Sequence, residues 1–60
     1  MKEKLKALEV NLRTLLKKVE TLEITQPDYA IMAKLGQIEL KIDELFDLIR
    51  DVEGLLEDYD

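Results

Sequence analysis

Between Ile31 and Tyr59 the apolar residues Ile31, Leu35, Ile38, Ile42, Leu45, Ile49, Val52, Leu56 and Tyr59 follow one another at alternating intervals of four and three. A repeat averaging about 3.5 residues keeps one stripe turned toward a neighbouring helix along its whole length, so this stretch is committed to helix–helix packing. Residues 1–24 carry the same pattern at Met1, Leu5, Leu8, Leu12, Leu15, Val19 and Leu22, filled with the helix formers Lys, Leu, Glu, Ala and Arg. Two helices therefore account for nearly the whole chain.

The segment Ile24-Thr25-Gln26-Pro27-Asp28 separates them. Proline inside a helix removes a hydrogen bond and clashes with the preceding turn, at about 3 kcal/mol, but is tolerated where a helix begins. Thr25 and Asp28 have the spacing of a capping box. The two apolar stripes are also out of phase across this segment, which places a break in the helix there. The expected layout is a single domain over 1–60: one helix over about 2–23, a turn over about 24–27, and a second helix over about 28–59. Gly36 and Gly54 fall off the seam of the second helix and do not end it. A short connection between long helices implies an antiparallel hairpin.

One register pairs Val19 with Ile31, Leu12 with Ile38 and Met1 with Ile49, centring the turn on Thr25 and leaving residues 50–60 beyond the end of the first helix. An alternative pairs Leu22 with Leu35 and Met1 with Leu56. The first agrees better with Pro27 at a helix start, and it makes Phe46, Leu48, Ile49, Val52, Leu55, Leu56 and Tyr59 the candidate interaction residues on a free apolar end.

Sixty residues bury only about 60% of the surface an unfolded chain exposes, and without cysteine or histidine neither disulfides nor the usual zinc sites supplement the core. Oligomerisation or a partner is the remaining support. Beyond the seam, Met32, Phe46, Leu48 and Leu55 widen the apolar face of the second helix past what a two-stranded coiled coil covers. The fold class expected is all-α: an antiparallel two-helix hairpin with coiled-coil-like heptads that dimerises into a four-helix bundle.

Charge divides the chain. Residues 1–24 carry six bases and four acids, residues 28–60 three bases and ten acids, within a net charge of −5. Lysines at the start of the first helix and carboxylates at the end of the second both oppose the helix dipole, a fault that a hairpin offsets by placing them side by side. No window has the roughly 18 apolar residues of a membrane span, and the first residues lack a signal-length apolar run, so a soluble cytoplasmic chain is expected. An acidic amphipathic helix also lacks the basic face that lipid surfaces attract.

There is little material for catalysis: no His, Cys or Ser, and no glycine-rich loop. An enzyme is not expected, nor a cofactor. Glu39, Asp43 and Asp47 recur along one helical face, but one exposed face supplies too few converging oxygens for magnesium or calcium, so no metal is expected.

Lys6, Arg13 and Lys17 form an outward basic stripe, the only candidate for nucleic-acid contact. With its paired heptads and hairpin layout, the chain resembles the Rop family of plasmid copy-number regulators. That resemblance implies a dimeric four-helix bundle and RNA contact through the first helices. It covers layout alone: no Rop-like RNA face can be matched residue by residue, no aromatic lies among the bases, and net charge disfavours phosphate. The leading expectation is a protein–protein interaction or structural module that self-associates. The alternative is a small adaptor whose second helix docks a different, helical protein.

Overall fold

The computed structural model describes residues 1–26 and 28–58. All regular structure among them is helical: α1 spans Lys2–Thr25 and α2 spans Tyr29–Glu57. The chain forms a narrow rod with extents of 47 × 15 × 10 Å. Pro27 and Tyr59, to which the sequence assigned a turn role and an interaction role, lie outside the described residues.

The helix boundaries explain a correction to the register. α1 continues to Thr25, whose hydroxyl donates to the Thr21 carbonyl at 3.0 Å instead of capping the next helix. Capping falls to Asp28, whose carboxylate accepts from the backbone N–H groups of Ala30 and Ile31 at 2.9 and 3.1 Å. These are orphan donors of the first turn, so Asp28 alone does the work expected of a Thr25–Asp28 box. With the turn moved toward Asp28, α2 returns along the full length of α1. Met1, Lys2 and Glu3 lie beside Leu56, as in the alternative register, so α2 does not overhang the start of α1 from residue 50 onward as expected.

The core is a row shared by both helices: Leu12 and Val19 of α1 against Leu35, Ile42 and Ile49 of α2, each 2–7% exposed. Leu5, Leu16 and Phe46 pack on it, half-buried. Helix–helix contact thus does not run along the expected four–three seam. In α1 the covered residues are Leu5, Glu9, Leu12, Leu16, Val19 and Glu23; in α2 the matching set is Leu35, Glu39, Ile42, Phe46, Ile49 and Glu53. Every second member agrees with the seam, and the others are displaced by one residue. Each helix is therefore rotated so that the central row and one flank meet, while the other flank faces out.

Candidate interaction face

The outward flank is apolar from end to end. α1 contributes Leu8, Leu15 and Leu22; α2 contributes Ile31, Ile38, Leu45 and Val52; all are 36–46% exposed. Residues at intervals of seven on a helix drift only slowly around its axis. In an antiparallel pair, the flanks remote from the contact lie on the same side of the hairpin. The two sets therefore form one face. Leu15, Ile38 and Leu45 line an open groove of about 480 Å³ on it, floored by Ile42 and edged by Lys34, Gln37 and Lys41.

The flank turned toward the contact is different. There Leu16 and Phe46 are accompanied by glutamates, and these meet in two pairs: Glu23 with Glu39 near the turn, Glu9 with Glu53 toward the far end. The Glu39 carboxyl is raised above its ordinary value, first by hydrogen bonding to Glu23, then by lost hydration and by repulsion from Glu23 and Asp43. Glu53 is raised in the same way by hydrogen bonding to Glu9, with Lys6 opposing the shift. Glu23 Oε1 and Glu53 Oε1 are shielded from solvent, and neither has a donor within geometric reach. A hydrogen bond between two carboxyl groups needs a proton on one of them, so the approach of each pair favours proton binding over full ionisation. The sequence reading placed Glu39 on an exposed face with Asp43 and Asp47, gave Glu9, Glu23 and Glu53 no role, and paired none of the four across the hairpin. Their signal was present, since each lies four residues after a central-row residue: Glu9 after Leu5, Glu23 after Val19, Glu39 after Leu35 and Glu53 after Ile49.

The expected interaction residues are dispersed by the hairpin. Ile49 is buried in the core, and Phe46 and Leu56 are half-buried against α1. Val52 belongs to the outward apolar face. Leu48 and Leu55, 58% and 62% exposed, lie along its α2 edge, and Tyr59 is outside the described residues. A free C-terminal apolar end is replaced by a face running the length of both helices.

The basic stripe is broken up as well. Lys6 shares a cleft of about 200 Å³ with Lys2, Glu53 and Glu57, where basic start meets acidic end. Arg13 and Lys17 remain exposed. Nor do Glu39, Asp43 and Asp47 act together: Glu39 faces Glu23, and Asp47 accepts from Arg50 at 3.4 Å. Among the described residues no group of three or more potential ligands converges on a point, and no helix is long and apolar enough to cross a membrane.

The chain matches no protein-family model, no curated protein and no solved structure.

Proposed function

We propose that this chain is a non-enzymatic interaction module that acts through helix packing, and that its outward face receives a second copy to complete a dimeric four-helix bundle. The observation carrying this reading is the choice of flank. A solitary hairpin would gain most by turning its wholly apolar flank inward and leaving the glutamates in water. Here the reverse holds, with Leu8, Leu15, Leu22, Ile31, Ile38, Leu45 and Val52 partly exposed and Glu9, Glu23, Glu39 and Glu53 half-covered. That rotation suits a helix with two neighbours, one on each flank of its central row.

A second copy fits because the face is regular. Leu15 stands with Leu45 and Ile38 in one groove, and the outward residues of each helix recur every seven positions, so the layers of one hairpin match the spacing of another. Burial is worth about 25 cal/mol per Å² of apolar surface, and a core of five buried residues leaves much for association to add.

Sedimentation equilibrium across the micromolar range tests the proposal. The expected result is a dimer for the wild type and a monomer for the double variant Leu15→Asp, Leu45→Asp. A fully helical, monomeric wild type would overturn it. An adaptor would instead show a monomer that gains helicity only when a different protein is added.

A further inference from the structure

The two flanks of the central row respond differently to a proton. On the inward flank Glu23 meets Glu39 and Glu9 meets Glu53, with Leu16 and Phe46 between the two pairs, and all six are half-buried. Glu23 Oε1 and Glu53 Oε1 are closed off from solvent with no donor in reach. Glu39 is faced by Glu23 from α1 and by Asp43 on its own helix. Glu53 is faced by Glu9 and Lys6 from α1 and by Glu57 on its own helix, with Lys2 in the same cleft. One proton on a pair turns it into a hydrogen bond. With both members ionised, two partly covered carboxylates repel each other; Lys6 relieves this in the far pair, whereas the pair near the turn meets a further acid in Asp43. The outward flank is aliphatic at every seventh residue, from Leu8 to Leu22 and from Ile31 to Val52, and carries nothing that titrates.

The flanks are also interchangeable by a small movement. Each inward residue directly follows an outward one in the chain: Leu8 and Glu9, Leu15 and Leu16, Leu22 and Glu23 on α1, with Ile38 and Glu39, Leu45 and Phe46, Val52 and Glu53 on α2. Successive residues stand about 100° apart around a helix, and the central row lies between the flanks. A roll of each helix by about 50° therefore swaps them while Leu12, Val19, Leu35, Ile42 and Ile49 stay in contact. The rolled packing hydrates four carboxylates and covers the aliphatic flank, at the loss of Leu16 and Phe46 burial and of any carboxyl–carboxylate hydrogen bond. Packed helices of this kind favour discrete arrangements over a continuous range.

We infer that the hairpin is a proton-gated device: a proton on each glutamate pair keeps the polar flank inward, and ionisation of both pairs rolls the helices so that the aliphatic flank closes instead. The described arrangement binds protons more tightly than the rolled one, whose carboxylates lie in water, so rising pH moves the population toward the rolled one. The outward face is thus offered in acid and withdrawn at neutral pH. The device belongs to the single hairpin and does not rest on the dimer.

The chain has no tryptophan, so a single one reports on one flank at a time. Phe46→Trp marks the inward flank and Leu8→Trp the outward flank. Emission is read near pH 4.5 and at neutral pH, at dilutions where it no longer depends on concentration, with helicity followed by circular dichroism. From acid to neutral solution the Phe46→Trp reporter should shift to the red and become easier to quench with acrylamide, while the Leu8→Trp reporter shifts to the blue and quenches less. Adding Glu39→Gln and Glu53→Gln should hold both reporters at their acid positions across the range. Red shifts at both positions would mean that the helices part instead of rolling, and a Phe46→Trp signal that ignores pH would mean one packing throughout. Either result, or equal movement in the glutamine variant, overturns the inference. None of these readings depends on the mass of the protein in solution, so the dimer stands or falls separately.

Discussion

The central row and the outward row are built from the same residue types on the same helices, yet Ile42 is 2% exposed and Ile38, one turn away, 42%. Leu12 and Leu15 differ in the same manner, at 7% and 44%. Composition and helix propensity cannot separate such neighbours, since both are aliphatic, mid-helix and on the repeat. What separates them is which neighbour each row faces. The central row has its partner within the chain, so its contribution is present in every folded molecule. The outward row is only partly covered within the chain, so the remainder of its contribution depends on what docks there and, for a second copy, on concentration.

Alanine in each row should pull the two apart. Ile42→Ala removes a fully buried side chain and should cost about 2–5 kcal/mol, transfer and cavity contributions together. In a hairpin this small that is enough to unfold much of the population at every concentration. Ile38→Ala should be mild in dilute solution and grow more severe as wild-type association is populated. Denaturant unfolding followed by circular dichroism at several protein concentrations measures both. Equal losses for the two variants, independent of concentration, would remove the distinction between the rows.

Much of this fold can be read from the chain. The four–three repeat, the acid–base asymmetry and the break around residues 24–28 specify two helices that return on one another. The register was less legible, because it depends on where the first helix stops. Thr25 serves equally as a helix cap or as a last-turn residue bonding back to Thr21, and only the second occurs. Rotation about the helix axis was the least legible of all. Apolar residues flank the central row on both sides, with Leu15 and Leu45 on one and Leu16 and Phe46 on the other, so periodicity names the row without naming the flank that faces the partner helix. The candidate face followed from that unresolved rotation. A stripe read as one seam divides into two rows with different neighbours, and Leu56 of the supposed free end meets the start of α1 once the register moves, while Leu55 stays exposed.

Gly36 and Gly54 allow the helix itself to be strengthened without touching either row. Neither has a positive φ, and a methyl group built at either meets nothing within 4 Å. Alanine recovers about 1 kcal/mol relative to glycine in a helix interior, largely by restricting the unfolded chain. Gly36→Ala and Gly54→Ala should each raise the unfolding free energy by that amount and leave the ratio of the Ile42→Ala and Ile38→Ala effects unchanged. A loss of stability at Gly36, which is half-covered, would mean that association brings another chain against it.

The smallest effect should come from the glutamate pairs, and it tests whether the inward flank is held as described. Glu39 and Glu53 bind a proton more tightly in the hairpin than in the unfolded chain, because each shares it with the carboxylate opposite. Protons bound preferentially by the folded form make stability fall as pH rises. The benefit is complete below the ordinary carboxylate value of 4.5 and is lost as pH climbs through the raised values of these two groups. Neutral solution therefore leaves both pairs in repulsion, against the central row that draws the helices together. Glu39→Gln with Glu53→Gln replaces the shared proton by a permanent amide donor. The double variant should melt at a higher temperature than the wild type at neutral pH, and the gap should close on acidification toward 4.5. Thermal unfolding of both proteins over that range measures the convergence. A gap that does not change with pH would mean the four carboxylates are fully solvated, and with it the argument that the polar flank is the one turned inward would fail.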